Sequence, residues 1–264
     1  MSPRTNEEWT SLIAQKVTEV LADTSEPATS FSTITTPDHA FASGIDHTLL
    51  KPDATPAQID ALVDEAVKYR FKSCCVNGVY VNRVVERLKG ASSETIACAV
   101  IGFPLGASTT AAKAFETRDA ITSGAQEIDM VIPIGLLKFK DYANVHTDIS
   151  FIVQAAAPVP VKVILETVFL TPEEIIAASF ISAEAGAAFV KTCTGFSGGG
   201  ATKEDVKLMW KSVKYKEGQV KVKASAGIRS LDKCLEMFQA GAERIGTSSG
   251  AAIMASTAAG EGAY

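Results

Sequence analysis

The chain has 264 residues, 47% of them apolar, and a formal net charge of −5. That length and apolar content suffice for a large core, and the acidic balance excludes the basic footprint of a nucleic-acid binder or of a membrane-surface protein. No apolar run approaches the length of a membrane span. The five cysteines, Cys74, Cys75, Cys98, Cys193 and Cys234, are an odd set without small-domain spacing. They indicate reduced thiols and a cytoplasmic location. His39, His47 and His146 form no zinc-like spacing with them, so no metal site is expected. The acidic residues among 1–23 rule out a secretory signal or transit peptide there.

Residues 6–22 place Trp9, Leu12, Ile13, Val17, Val20 and Leu21 on one helical face. Residues 23–43 are rich in Ser, Thr and Pro and read as a linker wrapping the surface. Residues 1–43 are thus an extension, and 44–264 are expected to form one domain with a flexible C-terminal tail.

From Gly44 a short apolar run alternates with a helical stretch. The runs lie near 45–49, 72–76, 95–101, 127–132, 161–166, 187–192, 219–224 and 243–246. Helical patterns fall near 56–70, 79–89, 110–123, 140–156, 172–185, 203–215 and 230–240, with a short last one near 248–256. Thr55-Pro56, Thr171-Pro172 and Thr202 mark helix starts, and Gly124, Gly186 and Gly241 mark helix ends. This alternation predicts an α/β fold, a (β/α)8 TIM barrel with an extra N-terminal helix. An open doubly wound sheet is the alternative, and the even spacing favours the barrel.

In such barrels chemistry sits at the C-terminal strand ends. The polar residues there are Asp46 and Thr48, Cys75 and Asn77, Asp129, Glu166, Lys191 with Thr192 and Thr194, and Lys223. Strand alternation puts Glu127 with Asp129, and Lys221 with Lys223, on common faces, and likewise Lys162, Ile164 and Glu166 if Lys162 points inward. Lys191 and Lys223 lie on adjacent runs. Like charges in a dry site depress at least one amine pKa, and the neutral amine is a nucleophile. Asp129 across the barrel is placed to take and return protons. Together these groups suggest Schiff-base chemistry on a carbonyl compound. The competing reading is a structural ion-pair network.

Loops after runs seven and eight, Ser225 to Arg229 and Gly246 to Gly250, stand where barrels hold phosphate. Gly195 to Gly200 would add backbone donors, but the cluster is no Walker motif, because Ala201 stands where the lysine should be.

Five stretches resemble the deoxyribose-phosphate aldolase family. They are Ile45 to Pro52, Val100 to Gly106, Glu127 to Pro133, Val190 to Phe196 and Val222 to Arg229, in order and at fitting spacing. The resemblance runs from about residue 44 to the C-terminus. It implies a class I aldolase, a carbon–carbon lyase without metal or cofactor. Such an enzyme reversibly cleaves 2-deoxy-D-ribose 5-phosphate to acetaldehyde and D-glyceraldehyde 3-phosphate, in deoxyribonucleoside catabolism. By resemblance Lys191 is the Schiff-base lysine, Lys223 the second lysine that lowers its pKa, and Asp129 the proton relay. Asp46, Thr48, Cys75, Lys162 and Thr194 line the pocket. Gly195, Gly227, Gly246, Ser248 and Ser249 cradle the phosphate, and Tyr264 reaches back into the site as a terminal tyrosine. The implied partners are a small phosphosugar and further copies of the chain, as a homodimer or homotetramer, with neither nucleic acid nor membrane.

The chain departs from the pattern at two positions. Phe196 stands where some relatives have lysine, and Ala226-Gly227 where they have two glycines. Fewer cationic contacts would weaken phosphate binding. The alternatives are another Schiff-base barrel aldolase or transaldolase, or a phosphosugar-binding barrel without catalysis, against which the lysine pair argues.

Overall fold

A computed structural model describes residues 4–255. Tyr264 lies outside the described residues. Eight parallel strands follow one another around a closed barrel: β1 Ile45–Leu49, β2 Ser73–Val76, β3 Ile96–Ile101, β4 Glu127–Val131, β5 Val161–Ile164, β6 Phe189–Lys191, β7 Lys221–Ser225 and β8 Arg244–Thr247. Pairing of β1 with β8, His47 opposite Thr247, closes the ring.

The helices are α1 Asn6–Ala22, α2 His39–Ala42, α3 Pro56–Tyr69, α4 Val81–Gly90, α5 Thr110–Thr122, α6 Ile134–Lys138, α7 Tyr142–Ala156, α8 Pro172–Glu184, α9 Lys203–Val213, α10 Leu231–Gln239 and α11 Gly250–Met254. Capping fixes where several begin. Thr55 accepts from the Gln58 amide while Gln58 returns to the Thr55 amide, and Thr171 and Glu174 do the same. Proline at the first helical position adds a preset φ at both sites. The predicted alternation holds, with two additions. The short α6 precedes α7, and α2 interrupts the stretch expected to be a linker.

Alternation along the strands sorts the side chains. Ile128, Met130, Val163, Val190, Val222 and Ile245 point outward and join Ile149, Ile152, Ile181, Val206 and Met237 of the helices in one apolar core. A buried ion pair lies behind the barrel wall: Lys113 of α5 donates to Asp148 of α7 at 2.9 Å and to the Val131 carbonyl at 3.0 Å.

The N-terminal extension is an integral part of this packing. Helix α1 lies along the flank against α7, α8 and α9. Trp9 is only 1% exposed, its ring 4.9 Å from His146. Residues 23–43 do more than wrap the surface. Phe41 is buried edge-on against Phe238, and Phe31 packs on the same ring at 5.1 Å. A Cβ on Gly44 would fall 2.6 Å from the Phe31 ring, so the entry into β1 needs glycine for close approach.

Candidate active site

Inward-facing residues build the site because every second position on a strand faces the barrel axis. The register brings seven ionisable side chains together. Lys162 pairs with Asp129 across β4 and β5, Lys191 with Lys223 across β6 and β7, and Lys223 with Arg244 across β7 and β8. Asp46 of β1 and Glu127 of β4 complete the ring. All seven are buried.

Asp129 is the hub. Its Oδ2 accepts from Lys191 Nζ at 2.7 Å and from Lys223 Nζ at 2.8 Å. Its Oδ1 accepts from Lys162 Nζ at 2.8 Å and from the Cys98 thiol at 3.2 Å. Asp46 is the second junction. Its Oδ1 accepts from Ser73 Oγ and from Arg244, each at 2.7 Å, and its Oδ2 from Lys223. Glu127 accepts from Arg244 at 2.8 Å and pairs with Lys162 at 2.7 Å.

These contacts set the proton affinities. Burial alone would raise the Asp129 carboxyl, but Lys162, Lys191 and Lys223 overcome it and hold it well below the ordinary range. The Asp46 carboxyl is held low too, its burial outweighed by Arg244, Lys223 and Lys162. Burial would lower Lys223, yet Asp129 and Asp46 hold it above the usual lysine range, and Lys162 is raised by Asp129, Cys98 and Glu127 against its own burial. Lys223 is therefore not the depressed amine of the Lys191–Lys223 pair. Carboxylates in contact with each amine outweigh the like charges.

Lys191 has fewer partners. It touches one carboxylate, Asp129, whereas Lys162 lies within ion-pair distance of three and Lys223 of two. It sits on the last residue of β6, at the C-terminal mouth.

The remaining candidates take different places. Thr48 donates to the Asp46 carbonyl at 2.9 Å. Cys75 stands opposite Cys98 on β3. Thr194 donates its hydroxyl and its amide to Glu166, whose backbone is left-handed at φ 58°. Its donors therefore shape the loop after β6. The expected phosphate loops meet one another: the Ala201 amide donates to the Ala226 carbonyl at 3.0 Å. Gly195 and Gly227 have φ of 88° and 72°, and Ala226 occupies the same region at 76°. Ser249 is buried, and its amide donates to Thr247 Oγ1 at 3.0 Å. Ser248 lies beside it at the start of α11.

Gly246 fills a packing need. A Cβ there would lie 2.4 Å from Ser225 Oγ and 3.0 Å from Lys223 Cε. Ser225 itself is 4% exposed, and its hydroxyl has no hydrogen-bond partner among the described residues. A buried hydroxyl without a partner is costly unless a ligand supplies one.

The sequence reading took Ser225 only as the start of a phosphate loop and did not place Arg244, Ser73 or Cys98 in the site. The period-2 spacing of Arg244 to Gly246 and of Ser225 to Lys223 marks two of them in retrospect. A cavity of about 620 Å³ opens at the other end of the barrel, among His39, Arg70, Lys72 and Thr95, and contains none of these residues. Among the described residues, no helix is long and apolar enough to cross a membrane.

The family model for DeoC/LacD family aldolases matches residues 40–256. Deoxyribose-phosphate aldolase 1 of Staphylococcus aureus strain Mu50 is 57% identical over 214 residues, covering 81% of this chain and 95% of that protein. Deoxyribose-phosphate aldolase 2 of strain MSSA476 is 58% identical over 210 residues, covering 80% and 93%. A provisionally named deoxyribose-phosphate aldolase from Coccidioides immitis superimposes with a TM-score of 0.89 at 41% identity, over 97% of this chain and 98% of that one. The deoxyribose phosphate aldolase of Aeropyrum pernix superimposes with a TM-score of 0.76 at 32% identity, over 92% and 96%. The chain belongs to the DeoC/LacD family of aldolases.

Proposed function

We propose that this aldolase reversibly cleaves 2-deoxy-D-ribose 5-phosphate into acetaldehyde and D-glyceraldehyde 3-phosphate through a Schiff base on Lys191. The observation that carries the reading is the shared carboxylate oxygen: Asp129 Oδ2 lies between the amines of Lys191 and Lys223. Four basic groups, Lys162, Lys191, Lys223 and Arg244, face three carboxylates, Asp46, Glu127 and Asp129. Lys191 is the amine with the least carboxylate company and stands nearest the mouth. It is the natural nucleophile, since the attacking amine must reach the substrate carbonyl.

The chemistry follows from these positions. The Lys191 amine attacks the C1 aldehyde of the open-chain sugar. Lys223, held protonated by Asp129 and Asp46, is placed to give a proton to the departing hydroxyl. The resulting iminium draws electrons as the C3 hydroxyl gives its proton to Asp129 and the C2–C3 bond breaks. Asp129, ionised at rest, then gives that proton back through the amines that share its oxygen. Protonation of the enamine and hydrolysis then free acetaldehyde.

Asp46, Thr48, Cys75, Lys162 and Thr194 form or support the pocket wall in this reading. Gly195, Gly227, Gly246, Ser248 and Ser249 cradle the phosphate, and Ser225 offers its unpartnered hydroxyl beside them. Residues 44–255 act as one catalytic barrel, with 4–43 as an extension on its flank. The chain works as a homodimer or homotetramer in the cytoplasm. A tetrameric Aeropyrum pernix relative, exposed Leu105, Phe115 and Phe139, and five free cysteines support that part.

The test is product formation: acetaldehyde and D-glyceraldehyde 3-phosphate released together from 2-deoxy-D-ribose 5-phosphate. Release of neither, from folded protein that cleaves another aldol, would transfer the chain to a different aldolase activity.

A further inference from the structure

Cys75 and Cys98 are register partners on adjacent strands, β2 and β3, and both side chains face the barrel interior. Adjacent strands run about 4.8 Å apart, inside the Cα separation that a disulfide spans. The two sulfurs and an Asp129 oxygen all lie within 4.8 Å of one another. No other thiol offers this geometry. Cys193 contacts Thr167 at 3.3 Å, Cys234 belongs to α10, and Cys74 points to the opposite face of β2.

We propose that Cys75 and Cys98 form a reversible disulfide under peroxide, and that this bond switches the aldolase off. The thiols differ in readiness. Its contact with Cys98 lowers the Cys75 thiol from its ordinary value against burial and Asp129, with help from Lys223 and Lys191. Burial first, then its bond to Cys75, pushes Cys98 well above its ordinary value. Cys75 is therefore the readier nucleophile and Cys98 the resolving thiol.

The steps balance. The Cys75 sulfur attacks one oxygen of hydrogen peroxide, the O–O bond breaks, and hydroxide leaves and is protonated to water. Cys75 is then a sulfenic acid. Cys98 loses its proton and attacks the Cys75 sulfur. The S–S bond forms, the S–O bond breaks, and a second hydroxide leaves as water. Two thiols are oxidised and one peroxide is reduced. Peroxide is smaller than the aldehyde that Lys191 must admit.

The bond reaches the reacting groups directly. Cys98 donates to Asp129 at 3.2 Å and accepts from Lys162 at 3.3 Å. Turning its sulfur toward Cys75 removes both contacts and places the bridge beside Lys191.

The experiment treats the whole enzyme with hydrogen peroxide, follows aldol cleavage, and maps peptides without reduction. The expected result is a peptide carrying Cys75 joined to one carrying Cys98, with the loss of two hydrogens. Activity should fall by about 10- to 100-fold, as displaced reacting groups cost, and dithiothreitol should restore it. In Cys98→Ala and Cys98→Ser, peroxide should still oxidise Cys75, but without the cross-link and without full recovery. Peptides that stay separate while activity is lost would overturn the proposal, as would a cross-linked enzyme that keeps its activity. The map does not depend on which sugar is cleaved, so it can fail or succeed independently of the substrate assignment.

Discussion

Lys191 and Lys223 donate to the same oxygen, Asp129 Oδ2, at 2.7 and 2.8 Å. One carboxylate thus fixes the spacing of two amines on neighbouring strands and supplies the charge that keeps one of them protonated. Asp129→Asn keeps the shape and removes that charge. Three buried lysines then lose a counter-charge, which costs about 3–5 kcal/mol of stability. Cleavage should fall by about 10²- to 10³-fold, the scale of losing one electrostatic anchor. Denaturant unfolding and steady-state rates measure the two effects separately.

Ser225 gives a binding prediction. Its buried hydroxyl lacks a partner beside Lys223 and Gly246. If substrate supplies that partner, Ser225→Ala should raise KM by about 5- to 10-fold with kcat little changed, the worth of one hydrogen bond. An unchanged KM would remove Ser225 from the binding surface.

Gly246 gives a positioning prediction. The Cβ of Gly246→Ala would press on Ser225 Oγ at 2.4 Å and on Lys223 Cε at 3.0 Å. The Lys223 stem must shift, and kcat should fall by about 10- to 100-fold. The overpacking should cost about 1–3 kcal/mol by thermal unfolding. A variant with full kcat would show that Lys223 need not hold its place.

The ring of charges sets the pH dependence of stability. Asp129, Asp46 and Glu127 are held below their ordinary values. Their contribution is fully present above the unfolded carboxylate range, near pH 4, and is lost as pH falls toward the folded values. Lys162 and Lys223 are raised. Their contribution is present below the unfolded lysine value, about pH 10.4, and is lost as pH rises past it. Unfolding free energy should therefore be flat across neutral pH and decline at both ends. Asp46→Asn should be less stable at neutral pH, with a shallower acid-side decline.

The barrel and its lysines were legible because strand alternation is local. Lys191, Lys223 and Asp129 could be put on inward faces from period 2 alone, and the capped starts at Thr55 and Thr171 fixed where helices begin. Pairing between strands is not local. That Cys98 meets Cys75 and Asp129, or that Arg244 reaches both Asp46 and Glu127, follows from register across the closed sheet, which one strand's pattern does not contain. The upward direction of the Lys223 shift was not legible for the same reason: the neighbouring amine is visible in sequence order, while the two carboxylates that outweigh it come from β1 and β4. The anchoring of the stretch before β1 depends on Phe31 and Phe41 meeting Phe238, about two hundred positions away.

Trp9 tests the extension. Its ring is buried between His146 and Phe180. Trp9→Ala should cost about 3–5 kcal/mol of stability, with KM and kcat unchanged below the melting transition, since α1 lies on the flank and not at the mouth.

The most direct measurement is reduction with borohydride in the presence of acetaldehyde, followed by peptide mapping of the folded enzyme. The account predicts a two-carbon adduct on Lys191, absent in Lys191→Arg. An adduct on Lys223 would exchange the two amines' roles, and no adduct on either would contradict the Schiff-base mechanism altogether.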